Sequence, residues 1–130
     1  NWYGMNKFDG VFGHHAARFQ QADHVPVLFG GDFNAVSHLD GGPSPASRKL
    51  VAAGFADAFR HQHPDVATQP GFSHEGGSRI DQLYFKGASL HHETTRVIST
   101  WPAGFPSDHF MIASSFALRA ASAGSKKSRE

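Results

Sequence analysis

The sequence predicts a mixed α/β fold, and three observations carry that reading. A short apolar run, Val25 to Gly30 (VPVLFG), closes on a glycine pair and has the length and composition of a buried strand. Three more strand-like runs crowd the second half: Arg79–Phe85, Leu90–Thr100 and His109–Leu118. Helical patterns lie before and between them, each bounded by recognisable start or stop residues.

The elements follow in chain order. Residues Asn1 to Gly13 mix aromatics with glycine and predict a loop, and His14 to Ala22 a short helix. In the first strand Pro26 sits near the start, where a missing N–H donor is tolerated. Asp40 to Pro45 (DGGPSP) is turn chemistry. Ser44 or Ser47 is placed to cap a helix running to about Ala53, which Gly54 stops. Phe55 to His61 predicts another helical turn before Pro64, and Asp65 to Gly77 a loop. Ile80, Leu83 and Phe85 are the apolar members of the second strand; Thr and Val mark the third; HFMIASSFAL forms the last. The small, polar segment 119–130 predicts a disordered tail whose Lys126, Lys127 and Arg129 are solvated. Residues 1–118 are thus expected to form the folded part.

Composition narrows the function. The chain has 130 residues, enough for one core, and 39% hydrophobic with 18% charged residues is a globular balance. A net charge of +1 gives no strong field toward nucleic acid or membrane, although ten His residues would make the chain basic below about pH 6.5. Without Cys there is no disulfide, thiolate nucleophile or Cys-ligated zinc. No apolar run approaches the roughly 20 residues of a membrane span, and no signal peptide is visible. The expectation is a soluble protein, cytoplasmic or secreted, whose native start lies before Asn1.

Chemistry concentrates in three runs at predicted strand ends: Gly30-Gly31-Asp32-Phe33-Asn34, Ser78-Arg79-Ile80-Asp81 and Ser107-Asp108-His109. Residues two apart on a strand share a side, so Asp32 and Asn34 are expected to aim a carboxylate and an amide into one space. The competing reading is a strand followed by an Asx turn that uses both side chains locally. His109 can orient or protonate a phosphoryl oxygen, and Asp81, costly to leave unpaired in an apolar strand, is its natural partner. Asp81 has an alternative in pairing with Arg79. The pairs His14-His15, His61-x-His63 and His91-His92 look like metal pairs but lack a third ligand at a standard spacing. Trp101 and Phe105 either wall the cleft or simply pack their loop.

VPVLFGGDFNAV, SRIDQLYF and PSDHFMIASSF resemble, in this order, the last three signature motifs of the endonuclease/exonuclease/phosphatase superfamily. Arg18, Gln21 and the run Gly54-Phe55-Ala56-Asp57-Ala58 also resemble its pattern. The resemblance implies a DNase I-like four-layer α+β sandwich, here about its C-terminal half, with mostly antiparallel strands and short flanking helices. It implies a phosphoesterase using Mg²⁺ or Mn²⁺ on a nucleic acid, phospholipid or small phosphoester. By the same resemblance Asp32 orients or deprotonates the attacking water, Asn34 contacts the phosphate and helps the metal, and Asp108 ligates the metal. His109 then binds the phosphate with Asp81 as partner, and Tyr3 stands where a strand-end His is usual. The family's early Asn and its principal metal-binding Glu have no counterpart here. A fragment of this kind is expected to be weak or inactive alone, and to self-associate through the sheet face it exposes. The other reading is a non-catalytic fragment kept as a binding or structural module. Near-zero charge tilts the substrate toward a small or lipid phosphoester rather than a duplex.

Overall fold

A computed structural model describes residues 2–120, with side chains from Met5 onward. Residues 121–130, with the three tail cations, lie outside the described residues. Helix α1 spans Trp2–Gln20. Strand β1 (Val27–Asp32) follows, then a single tight turn at His38–Asp40 and helix α2 (Pro45–Ala52). Next come β2 (Ala56–Asp57), α3 (Ala58–Gln62), β3 (Asp81–Lys86), β4 (Leu90–Ile98) and β5 (Met111–Leu118). The strands make two antiparallel sheets, one ordered β1–β3–β2 and the other β4–β5. The fold is therefore mixed α/β with antiparallel sheets, as the sequence predicts.

From Trp2 on, the predicted loop at Asn1–Gly13 is instead the first part of α1; Asn1 lies outside the described residues. Met5, Phe8, Phe12 and Phe19 recur at helical spacing and bury one face, with ring centroids 5.3 Å apart for Phe8–Phe12 and 5.1 Å for Phe12–Phe19. Gly10 and Gly13 point into open space. They cost the helix about 1 kcal/mol each in propensity, less than burying the aromatic face returns. Tyr3 accordingly has helical backbone and no strand end; its side chain lies outside the described residues. α2 starts where the Ser44 hydroxyl accepts the N–H of Ser47, and Ser47 sits buried inside the helix, so Ser44 is the cap. Gly54, at φ 89°, ends that helix as expected.

The face of the first sheet carrying Phe29 and Tyr84 packs on α1 and α2, with Phe8, Phe19, Leu50 and Phe55 in the same core. Leu28 and Phe85 pair on the opposite face. There Phe85 meets Phe116 of β5 at 5.3 Å and His92 of β4, also at 5.3 Å. Leu28 remains 54% exposed. Three of these histidines, His61, His63 and His92, pack here. His61 and His92 hydrogen-bond through their Nδ1 atoms at 2.9 Å, and His63 Nε2 meets the Thr95 carbonyl at 3.1 Å. Partial burial, then the neighbouring His61 ring, holds the His92 pKa below the ordinary histidine value.

A buried charge network underlies the β3 end. Arg79 donates to both oxygens of Asp57 (3.1 and 2.8 Å) and to Asp40 (2.6 Å). Arg60 donates to Asp40 at 2.5 Å and to the carbonyls of His63, Gln69 and Pro70. Asp57 also caps α3 by accepting the N–H groups of Phe59 and Arg60. Arg79 thus partners Asp40 and Asp57, and leaves Asp81 to another partner.

Candidate active site

The register of the first sheet sets Asp32 directly opposite Asp81. Like charges in that position repel unless a cation stands between them. His109 stands there: its Nδ1 lies 2.8 Å from Asp81 Oδ2, and its Nε2 lies 4.0 Å from Asp32 Oδ2. The predicted Asp81–His109 pair is therefore formed, and Asp32 faces it. The hydrogen bond to Asp81 raises the His109 pKa above the ordinary histidine value. The charges of Asp81, Asp32 and Asp108 add to that effect.

Local backbone chemistry holds these groups. Strand β1 ends at Asp32, and Asn34 takes φ 48°, a left-handed conformation that Asn tolerates. Asp32 Oδ1 accepts the Asn34 N–H at 2.8 Å. The Asx turn is thus real, and the expected strand-like pairing of the Asp32 and Asn34 side chains is not: the chain turns between them. Asp32 keeps Oδ2 toward His109, and Asn34 lines the groove between α1 and this turn beside Asp32. Phe33 N–H donates to the Ile80 carbonyl (2.8 Å), and the Gln82 amide reaches the Ala35 carbonyl (2.9 Å), which ties the turn to β3.

Two further positions beside this group escape the sequence reading. Ser73, fully buried, accepts the N–H groups of Ile80 (3.0 Å) and Asp81 (2.9 Å) on its hydroxyl, and its carbonyl accepts the Phe110 N–H (2.7 Å). It thereby fastens the backbone of Asp81 beside that of His109. His74 bridges His109 through the backbone, and their rings meet edge to face at 4.9 Å. The signal was the Ser-His pair standing just ahead of SRID, inside a segment otherwise rich in Gly. The Asp108 side chain accepts no hydrogen bond from Asp32, Asp81 or His109; its backbone carbonyl accepts the Glu75 N–H (2.9 Å), and its carboxylate is 61% exposed, 3.6 Å from His74 Nε2. Two acid–histidine groups result, Asp32–Asp81–His109 and His74–Asp108–His109, sharing His109. Among the described residues none of the predicted His pairs joins a metal-ligand group. Trp101 is 58% exposed, and Phe105 packs edge-on against Phe110 at 5.5 Å, so the packing reading holds for Phe105.

The model of the Endonuclease/Exonuclease/phosphatase family matches residues 9–109. The chain belongs to that family. Its members are typically hydrolases, with phosphoesterases and nucleases among them. An uncharacterized protein of Caenorhabditis elegans is 26% identical over 129 aligned positions, which take in 72% of this chain and 41% of that protein. The chain thus spans about two-fifths of that relative's length. All three motif runs end within or at the edge of the family match, and the Asp32–Asp81–His109 group draws on each of them. No helix among the described residues is long and apolar enough to cross a membrane.

Proposed function

We propose that this chain forms part of the active site of a Mg²⁺- or Mn²⁺-dependent phosphoesterase, which hydrolyses a phosphodiester or phosphomonoester by attack of water. The carrying observation is the Asp81–His109 hydrogen bond facing Asp32 across the strand register. In this reading residues 1–118 are the C-terminal part of the catalytic domain.

Asp32 has one oxygen committed to the Asn34 N–H and one free, so the free oxygen orients the water and accepts its proton. His109, whose imidazolium form the Asp81 hydrogen bond favours, donates from Nε2 to a phosphoryl oxygen where negative charge grows. Asp81 is a positioning residue: it sets which ring nitrogen faces the cleft. Asp108, Asp32 and Asn34 present carboxylate and amide oxygens, the hard donor set that suits Mg²⁺ or Mn²⁺. Such a cation, when bound, neutralises charge on the phosphoryl oxygens. The substrate is a nucleic acid, a phospholipid or a small phosphoester; the near-neutral chain offers no support for a duplex-binding face.

The test is turnover of DNA, RNA, sphingomyelin and inositol phosphates with Mg²⁺ or Mn²⁺ by the full-length parent that contains this chain, in the wild type and in His109→Ala. The expected result is hydrolysis of at least one substrate that falls on the order of a hundredfold or more in the variant. No turnover of any substrate, or full turnover by the variant, overturns the proposal.

A further inference from the structure

We propose that His61 and His92 form an acid-operated latch between the two sheets. Neutral, or carrying a single charge between them, the pair holds α3 to the β4–β5 sheet; doubly protonated, it releases that sheet. The latch is independent of the phosphoesterase reading.

The two sheets share no strand. Among the described residues, every side-chain hydrogen bond from β4 or β5 to another element runs to three consecutive residues at the end of α3: His61, Gln62 and His63. His61 meets His92 of β4 Nδ1 to Nδ1 at 2.9 Å. His63 Nε2 meets the Thr95 carbonyl at 3.1 Å, and Gln62 Oε1 accepts the Thr95 N–H. Rings complete the joint. Phe85 of β3 stacks on His92, and the His61 ring stands edge-on to Phe85 at 5.4 Å. Phe85 lies toward the end of β3 opposite Asp81, so the joint is remote from the candidate active site.

A hydrogen bond between two imidazole nitrogens needs one N–H and one lone pair. The neutral pair supplies both. So does the singly charged pair, because its neutral ring still offers a lone pair. With both rings charged, two N–H groups face each other at the same spot and neither has an acceptor. His92 cannot escape by turning over. Its Nε2 lies 2.6 Å from Thr95 Oγ1, which lies 2.8 Å from Ser114 Oγ, and Thr95 is buried. Protonation of His63 leaves its own tie intact, since Nε2 donates to a carbonyl in either state.

Nothing packed around His92 offsets a second charge. Its neighbours are His61 and His63 from α3, Phe85 from β3, Thr94 and Thr95 from β4, and Phe116 from β5. Burial first, then the His61 charge, holds the His92 pKa below the ordinary histidine value, with a smaller push from His63. The opposing influence is the Thr94 backbone; the exposed Glu93, next in the chain, is not among the groups that move it. A folded-state value below the unfolded one means that stability is lost as pH falls from the ordinary histidine value through the lowered one. A two-stranded sheet freed from its neighbour is marginal in water, so release exposes the β4–β5 ladder to exchange.

Hydrogen exchange of the full-length parent that contains this chain tests the latch, at about pH 7.5 and about pH 5 with intrinsic rates divided out. At the lower pH the amides of β4 and β5 should lose roughly fivefold to tenfold in protection, the weight of one hydrogen bond, while those of β1 and β3 keep theirs. His61→Asn sets an amide near the Nδ1 position and takes no charge, and residue 61 is exposed. This variant should keep β4 and β5 protected at both pH values. His91→Asn removes a histidine outside the pair and should respond as wild type does. Equal loss in all strands, no loss in wild type, or undiminished acid loss in His61→Asn overturns the latch. Should His61→Asn weaken protection at both pH values, imidazole NMR of the wild type decides. Separate titration steps for His61 and His92, the second below the ordinary histidine value, support the latch. Both rings titrating together at the ordinary value overturn it.

Discussion

Two clusters in this molecule use the same chemistry of aspartate against a cationic side chain, and they differ in closure. Asp40, Asp57, Arg60 and Arg79 have side chains 0–6% exposed. Their two positive and two negative charges balance, and no buried polar side-chain atom in the described residues lacks a partner. Asp32, Asp81 and His109 have side chains 18–38% exposed, and Asp108 beside them 61%. Their carboxylates outnumber the imidazoles they face. A closed, balanced network holds structure. An open, acid-rich one keeps oxygen lone pairs and an N–H directed at whatever enters. The two are joined in sequence, because Arg79 and Asp81 lie two residues apart and serve one cluster each.

The comparison predicts opposite responses to substitution, and the largest effect falls on the closed cluster. Arg79→Ala leaves Asp40 and Asp57 short of a buried partner and should cost about 3–5 kcal/mol in urea unfolding; a cost below about 1 kcal/mol would place the network with surface pairs instead. Gly71→Ala should come next. Gly71 has φ 66°, and an added Cβ would lie 2.2 Å from the Phe59 ring, over which both arginines sit. A loss above about 1 kcal/mol, read from the shift in denaturation midpoint, is expected.

In the open cluster, substitution should change binding and titration more than stability. Asp108→Ala should abolish site-specific Mg²⁺ or Mn²⁺ binding in calorimetric titration while the thermal midpoint stays within a few degrees. Unchanged binding would remove Asp108 from the ligand set. The smallest effect belongs to Asp81→Asn, which should lower the His109 pKa, followed by imidazole NMR. Because Asp81 raises that pKa in the folded state, its stabilising contribution is complete below the ordinary histidine value and fades as pH rises through the raised one. The variant should therefore lose stability on the acid side of that window and converge with wild type above it.

The sequence made most of the open cluster legible and very little of the closed one. Asp32, Asp81 and His109 stand at strand ends in runs where an unpaired carboxylate or imidazole is hard to explain by packing. Asp40 sits in what reads as ordinary turn chemistry, and Arg60 in an unremarkable helical turn, so nothing local announces that they meet. Helix α1 was hidden for another reason: Gly10 and Gly13 masked an aromatic stripe whose worth appears only once a sheet lies beneath it. His74 and Ser73 lie in a loop whose path depends on backbone bonds to Ser78 and Phe110.

By itself the sequence determined the α/β class, a strand leading into Asp32, the Ser44-to-Gly54 helix and a candidate set of acid, amide and imidazole residues, because these depend on local periodicity, turn residues and side-chain type. Only the tertiary structure decided that Asp32 faces Asp81, that His109 stands between them, that Arg79 turns away to Asp57, and that His74 bridges to His109 through the backbone. Those outcomes depend on strand register and on loops folding back across long separations, and the free energy of such contacts appears only when the distant partners meet.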